Sequence, residues 1–208
     1  MGSDYIGLFA ITNDTVCFVP HSIDKKTEDI IQETLEVRTV KISLYDSSLL
    51  AVFGKMNNNE IILPSFVLEK EIKEIEKEMK VRIIETEHAL GNLLEMNDTH
   101  AILSQTLNKN DVKQIQKAGL EIIQTNIAKT DAVGSSILLT NKSFLVNPNS
   151  SMEEIKKIQQ ALNIKGGSST ANTGDAFVRN SVIANSKGIL VGEHTTGHEL
   201  ARIEEALE

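Results

Sequence analysis

Few side chains in this sequence could carry out nucleophilic chemistry, and the first candidate is Cys17. It is the only cysteine in 208 residues, which excludes an internal disulfide and a cysteine-rich zinc site. A catalytic thiol needs a base close by and a lowered pKa. Cys17 instead stands between Val16 and Phe18 in an apolar run, which is typical of a small core residue. We therefore expect no catalytic residue here.

Two histidines, His194 and His198, have the spacing of a zinc-binding pair on one helix face. The pattern Thr196-x-x-Glu199 overlaps them and is a capping box, which predicts that a helix begins at Thr196. His194 would then precede the helix, and the two imidazoles would not share a face. The sequence therefore predicts no metal site and no cofactor.

A glycine-rich segment over residues 166–170 superficially resembles a phosphate-binding loop. Such a loop also needs a Gly-Lys-Ser/Thr sequence that opens a helix, and this segment lacks it. The end of a strand followed by a turn explains the same residues without a ligand.

The composition is that of an acidic globular protein rather than a disordered chain. Hydrophobic residues make up 40% and charged residues 24% of the sequence, and the net charge is −8. This negative charge disfavours binding to the phosphate backbone of a nucleic acid over a broad surface, and it favours a partner with a basic patch. No apolar run approaches the roughly 20 residues that cross a bilayer, and the first residues do not resemble a signal peptide. We expect a cytoplasmic protein with no DNA or membrane partner.

The strongest pattern is a fivefold internal repeat. Each unit has an apolar run, a polar turn led by asparagine, a second apolar run and then a helical stretch. The turn asparagines are spaced by 44, 40, 44 and 44 residues, and each of the three prolines follows one of them by seven residues. The five asparagines are Asn13, Asn57, Asn97, Asn141 and Asn185.

Each unit is expected to form a hairpin, a helix and a third strand. Runs of β-branched and large apolar residues predict the first strands. The clearest of these runs cover residues 6–12, 49–56, 136–140 and 177–184.

The helices are predicted from apolar stripes with polar residues on the other faces. In the fourth unit the stripe consists of Met152, Ile155, Ile158 and Leu162. Capping boxes are expected where the fourth and fifth helices begin, with glutamate three residues after serine or threonine.

One such unit cannot bury its own apolar face, whereas five units in a closed ring would bury all of them. We therefore predict an α/β fold in which residues 1–208 form a single five-bladed, pseudo-fivefold propeller with strands inside and helices outside. An open solenoid is the alternative, but it would need polar caps at both ends. The repeats are expected at about 6–48, 49–92, 93–135, 136–176 and 177–208.

No strand is predicted after the fifth helix, so a third strand for the fifth sheet would have to come from the five residues before the first unit, Met1–Tyr5. We expect this seam to be the weakest part of the ring. A second expectation follows from the fivefold arrangement, because it gathers the polar loops before the first strands on one face. These loops cover residues 46–48, 90–92, 133–135 and 172–174.

Several of these loops, in this order and spacing, resemble a known family. The carriers are Ala89-Leu90-Gly91-Asn92, Val133-Gly134-Ser135, Thr170-Ala171-Asn172-Thr173-Gly174, and Thr195-Thr196-Gly197 followed by Glu199-Leu200. Together they are similar to the translation initiation factor 6 family in its archaeal form, and the resemblance covers essentially the whole chain.

The resemblance implies a pentein fold and a ribosome anti-association factor rather than an enzyme. It implies binding to the large (50S) ribosomal subunit, which sterically blocks association with the small (30S) subunit. The expected contacts are ribosomal proteins near the sarcin–ricin loop, notably L14, and the expected state is a monomer. On this basis the ribosome-binding candidates are Leu90, Gly91, Asn92, Gly134, Ser135, Asn172 and Gly174.

Two alternatives remain open at this point. The pentein fold also hosts guanidine-modifying enzymes, but these use a cysteine late in the chain, and Cys17 lies in the first unit. A generic protein-interaction ring would need no more than the fold itself.

Overall fold

The computed structural model describes residues 2–208, in which fourteen strands form four three-stranded sheets and one two-stranded sheet. The strands are β1 (Ile11–Thr12), β2 (Val16–Pro20), β3 (Arg38–Ile42), β4 (Lys55–Met56), β5 (Glu60–Pro64), β6 (Lys80–Ile84), β7 (Leu94–Met96), β8 (His100–Leu103), β9 (Glu121–Gln124), β10 (Ile137–Leu139), β11 (Ser143–Val146), β12 (Lys165–Ser168), β13 (Val182–Ala184) and β14 (Ile189–Val191). The helices are α1 (Lys25–Leu35), α2 (Leu50–Phe53), α3 (Glu69–Ile75), α4 (Lys109–Gln116), α5 (Val133–Ser136), α6 (Met152–Leu162), α7 (Val178–Ser181) and α8 (Gly197–Leu207), and 3-10 turns cover Ile6–Leu8 and Leu90–Asn92.

The four three-stranded sheets share one topology. The middle strand pairs antiparallel with the strand before it and parallel with the strand after the helix, so that Phe18 lies opposite Ile11 on one side and Val40 on the other. A parallel return needs a crossover connection, and in the first unit α1 supplies it. The predicted pseudo-fivefold α/β architecture is confirmed, with the small sheets inside and the long helices outside.

Each unit begins with a short helical turn rather than a strand. The predicted first strands over 6–12, 49–56 and 177–184 are wrong in their first halves, and only their last two or three residues are strand. The helical turns of neighbouring units pack on one another, and this tertiary contact overrides the β propensity of their apolar residues. We call them the axial turns: Ile6–Leu8, Leu50–Phe53, Leu90–Asn92, Val133–Ser136 and Val178–Ser181.

The hairpin turns share one equivalent position, and the fourth unit places threonine there instead of the predicted asparagine. In each turn the N–H of this residue donates to the C=O three residues later. The position is held by Asn13, Asn57, Asn97, Thr140 and Asn185. Asn141 is therefore one residue out of phase, and so is Pro148.

Threonine can replace asparagine here because both side chains close the same turn. The Oγ1 of Thr140 accepts hydrogen bonds from the N–H groups of Lys142 and Ser143 at 3.1 and 3.0 Å. Asn97 Oδ1 accepts the two corresponding bonds in the third unit. The turn geometry requires an oxygen at this distance rather than an amide.

Amide side chains link the five turns in series. Asn13 Nδ2 donates to the C=O of Asn57 at 3.1 Å, and Asn57 Nδ2 donates to the C=O of Asn97 at 2.9 Å. Asn97 Nδ2 continues to the C=O of Thr140 at 3.2 Å. Asn185 Nδ2 donates to the C=O of Asn13 at 3.1 Å and so joins the fifth unit to the first.

The long helices bury one face each, largely as the apolar stripes predict. In α6 the side chains of Ile155, Ile158 and Leu162 are buried, but Met152 is 69% exposed and does not belong to the stripe. Thr196 caps α8 in a full capping box with Glu199, which confirms the prediction. Ser151 accepts from Glu154 N at 3.1 Å, whereas the Glu154 carboxylate turns to the preceding unit.

The fifth sheet contains β13 and β14 only, so within the described residues 2–208 the segment before the first unit adds no third strand to it. Helix α1 of the first unit packs beside β14. Its C-terminal end is tied there by Asn185 Nδ2, which donates to the C=O of Leu35 at 2.8 Å. Strand β14 is half-buried throughout, while β2 and β5 are fully buried.

The apolar core follows the ring, with buried clusters between the sheets and the long helices. Within residues 2–208, every helix is too short or too polar to cross a bilayer.

Candidate functional site

The polar loops before the first strands are called the junction loops (residues 46–48, 90–92, 133–135 and 172–174), and the face that carries them is called the junction face. A groove of about 700 Å³ opens on this face, opposite the hairpin turns. It lies where the third, fourth and fifth units meet, and its walls include Asn92, Lys129, Ser135 and Phe177. Ser135 Oγ donates to Asn92 Oδ1 at 3.3 Å. The structure thus brings two of the seven predicted binding residues together, at a surface that combines amide, hydroxyl, ammonium and aromatic groups.

Three other predicted residues, Leu90, Gly91 and Gly134, are buried in the axial turns. A Cβ atom at Gly91 would collide with the C=O of Ala51, and one at Gly134 would collide with the C=O of Gly91. These glycines let neighbouring backbones touch, so packing around the axis accounts for them. Any contact of this face with a partner therefore falls to the side chains around them.

Asn172 and Gly174 lie in a loop outside the groove. The Nδ2 of Asn172 donates to the C=O of Asp4 at 2.7 Å and to Ser181 Oγ at 2.9 Å. Gly174 N donates to Glu199 Oε1 at 2.8 Å. Asn172 thereby fastens the N-terminal segment to the fifth unit, and Gly174 is the more exposed of the two.

A repeated glutamate clasp, which the sequence reasoning missed, holds three of the loops that follow the third strands. Two residues in the left-handed conformation follow the third strand, and a glutamate from the next unit's long helix accepts a hydrogen bond from the backbone N–H of at least one of them. The clasp recurs with Glu71, Glu154 and Glu199. Burial alone would raise the pKa of Glu199, but hydrogen bonds from Thr170, Thr196 and Gly174 lower it to about 2.

A buried ionic trio lies at the axis of the ring. Lys55 Nζ lies 2.8 Å from Glu95 Oε2, and Arg179 Nε lies 3.4 Å from the same oxygen. Arg179 also donates to the carbonyls of Gly7 and Val182. The trio carries two positive charges and one negative charge in a region closed to water.

Burial is the main reason that the pKa of Lys55 falls to about 8, and repulsion from Arg179 adds to it. A sequence signal for the trio did exist. Lys55 and Glu95 occupy the repeat position that is isoleucine or leucine in the other units, at Ile11, Leu138 and Ile183. A charge at an apolar phase of a repeat indicates a buried partner.

The hairpin-turn face carries a polar ring at the other end of the axis. Asn58 Nδ2 donates to Asp14 Oδ2 and Asp98 Oδ2, both at 2.8 Å, and Asn141 Nδ2 also reaches Asp98 at 2.8 Å. Burial tends to raise the pKa of Asp14, but bonds from Asn58 and Ser186 outweigh it and lower the pKa. The ring satisfies its own donors and acceptors.

The comparisons with known proteins agree over the whole chain. The model of the eIF-6 family matches residues 1–206. The chain belongs to the eIF-6 family. Its curated relatives include proteins named translation initiation factor 6 from Pyrococcus horikoshii, Sulfolobus acidocaldarius and Thermoplasma acidophilum. The first is 35% identical and the other two are 34% identical, each over 99% of this chain and 94% to 95% of the relative.

In this eIF-6 family chain Cys17 lies in the core, as predicted. It is fully buried in β2, and burial raises the pKa of its thiol to about 12. A thiol in that environment stays protonated and does not act as a nucleophile at neutral pH.

The histidines of this eIF-6 family chain lie as the capping box implied. His194 precedes α8, and its Nε2 atom lies 3.3 Å from Asp4 Oδ2. Within residues 2–208, no three histidine, cysteine or acidic side chains converge as metal ligands.

Proposed function

We propose that this protein is the archaeal form of translation initiation factor 6, which binds the large (50S) ribosomal subunit and sterically prevents its association with the small (30S) subunit. The observation that carries the proposal is the family match over residues 1–206, together with relatives named for this factor. We place the protein in the cytoplasm and expect it to act as a monomer.

The hydrogen bonds between units and the net charge support a protein that acts by steric occlusion rather than by catalysis. Asparagine side chains donate hydrogen bonds to the backbone of neighbouring units, which favours a ring that docks as one body. The net charge of −8 favours a basic ribosomal protein over bare rRNA as the main partner, and we propose L14 near the sarcin–ricin loop. The docking face in this proposal is the junction face, with Asn92 and Ser135 at its groove.

Sedimentation of purified subunits tests the proposal. At low salt the protein should pellet with large subunits and remain in the supernatant with small subunits. Light scattering should then show that it lowers the fraction of joined subunits. Failure to pellet with either subunit would refute the proposed function.

The docking face can be tested separately. Replacing half-buried Asn92 by Trp should weaken binding to large subunits, because a bulky ring would stand at the groove. The matched control is Asn59→Trp, at an exposed position on the hairpin-turn face. Equal affinity of the two variants would remove the groove from the binding surface.

A further inference from the structure

Three aromatic side chains form a cluster on the surface between the first and second units. Tyr45 follows β3, Phe53 ends α2 and Phe66 follows β5. Their ring centroids lie 5.3 to 6.1 Å apart, with edge-to-face or tilted geometry. The chain has six phenylalanines, two tyrosines and no tryptophan, so a large share of its aromatic surface is placed at one point.

The cluster is accessible from solvent. Tyr45 is 53% exposed, and Phe53 and Phe66 are half-buried. The three rings line a groove of about 500 Å³ together with Glu87 and Thr86. An exposed aromatic cluster of this kind marks a contact surface more often than an accident of packing.

The backbone presents Tyr45 in a strained conformation. Its φ angle is 56°, in the left-handed region that a bulky residue rarely occupies. The carboxylate of Glu71, which is buried, accepts from Tyr45 N at 2.7 Å and from Asp46 N at 2.9 Å and so holds this conformation. The same left-handed conformation recurs at Ala128, so the clasp requires it whatever the side chain.

The repeat supplies an internal control for this cluster. Measured back from the clasp glutamates, Tyr45, Phe53 and Phe66 correspond to Ala128, Ser136 and Asn149, where the third and fourth units meet. Where the fourth and fifth units meet, the corresponding residues are Thr173, Ser181 and His194. The clasped loop therefore folds without aromatic residues. Folding of the loop does not explain why three aromatic residues lie between the first and second units.

From this geometry we infer that the aromatic cluster is a binding site for an arginine side chain of a basic partner protein. A guanidinium group stacks on aromatic faces, is weakly hydrated and pairs with carboxylates. Glu87 lines the same groove as the rings, and the net charge of −8 attracts a cationic segment. The inference rests on the proposed function in one respect, because the arginine would belong to a protein of the large subunit.

Charge complementarity favours this occupant over two others. An apolar side chain would gain nothing from Glu87, and a stacked RNA base would bring a phosphate toward the same carboxylate. The titration below also shows whether an apolar side chain or an RNA base binds instead.

A direct titration tests the ligand without ribosomes. The probes are the amide-capped tripeptide Gly-Arg-Gly, the same peptide with norleucine in place of arginine, and a short uridine RNA. We expect only the arginine peptide to shift the ring resonances of Tyr45, Phe53 and Phe66, with millimolar affinity. Equal shifts with norleucine, shifts with RNA instead of arginine, or no shift with any probe would overturn the inference.

A ribosome-binding experiment tests the partner. The variant Tyr45→Ala/Phe53→Ser/Phe66→Asn carries the residues that are found at these positions where the third and fourth units meet. It should bind large subunits about tenfold more weakly than the wild type, as expected for the loss of a cation–π contact. The control Met152→Asn removes an exposed apolar side chain from α6 and should bind like the wild type.

The outcomes separate the two proposals. If wild-type protein does not bind large subunits, the proposed function fails and the peptide titration still decides the arginine site. If wild-type protein binds and the triple variant binds equally well, the arginine site is wrong and the proposed function stands. Should the triple variant unfold, as urea denaturation would show, Phe66→Asn and Glu87→Gln give the same comparison.

Discussion

Lys55 Nζ and Glu95 Oε2 form a 2.8 Å ion pair between the second and third units, with both side chains closed to water. Arg179 from the seventh helix shares the same carboxylate. One negative charge thus serves two positive charges at the axis of the ring, and removal of different members should have unequal effects.

The first prediction is that removing the anion of the trio costs more stability than removing one of its cations. Glu95→Gln should destabilise the fold by about 3–5 kcal/mol, because it leaves two buried cations without a counter-ion. Lys55→Met should cost less than about 2 kcal/mol, because a neutral Glu95–Arg179 pair remains. Urea denaturation of both variants measures the difference. Equal costs would mean that water or local rearrangement compensates the charges.

A second prediction follows from the pKa of Lys55, which burial and repulsion from Arg179 lower from 10.5 to about 8. Between these values the unfolded lysine holds a proton that the folded one has released, so stability rises with pH in this window. The gain should approach about 3 kcal/mol at the upper end. It is read as the difference in unfolding free energy between wild type and Lys55→Met at pH 8 to 10. A difference in unfolding free energy that does not change between pH 8 and pH 10 would contradict this prediction.

The third prediction concerns Glu199, whose pKa of about 2 lies below its usual 4.5 because its hydrogen bonds outweigh burial. A lowered carboxylate pKa stabilises the fold above pH 4.5, and the contribution disappears as pH falls toward 2. Glu199→Gln should therefore lose about 1–2 kcal/mol at pH 7 and little at pH 2. Unfolding curves at the two pH values provide the comparison, and an equal loss at both would exclude the ionised clasp.

A fourth prediction tests the exchangeability of asparagine and threonine in the hairpin turns. Asn97→Ala removes the oxygen that accepts from two N–H groups in a buried turn and should cost about 2 kcal/mol. Asn97→Thr copies the residue found at position 140 and should retain more than half of that stability. Thermal unfolding ranks the variants; equal melting temperatures for the two would show that the oxygen is dispensable.

The fifth prediction concerns the two-stranded sheet. Strand β14 is half-buried, and within residues 2–208 it has no third strand beside it. Its amides should therefore exchange faster with deuterium than amides of the equivalent strand β11. Native-state exchange at low urea measures this directly. Uniform protection across the five sheets would show that the contacts of α1 stabilise the seam as well as a strand does.

The sequence allowed the architecture to be predicted because burial of an apolar face repeats with a regular period. The position of the turn within the fourth repeat was predicted one residue too late, because Thr140 makes the same turn bonds there that asparagine makes in the other units. The axial turns were missed because the close approach of Gly91 and Gly134 to neighbouring backbones depends on the assembled ring. Local propensity contains no information about that contact.

The loops proposed for binding precede the first strands of their units, but the individual roles of their residues could not be read from the sequence. Gly91 serves axial packing and Asn172 fastens the N-terminal segment, whereas Asn92 lines an open groove. Whether a loop residue faces solvent depends on neighbouring units far away in sequence. A single chain without its contacts does not encode that distinction in any local pattern.

The bond between Asn185 and Asn13 spans 172 residues, and this separation has a consequence for biosynthesis. During translation the first unit emerges long before residue 185 is made, a wait of roughly 10–30 s at ordinary elongation rates. Throughout that interval the edge of the first unit that will meet the last one stays uncovered on the nascent chain. A pause or a codon change late in the message should therefore prolong the exposure of an aggregation-prone surface near the N-terminus.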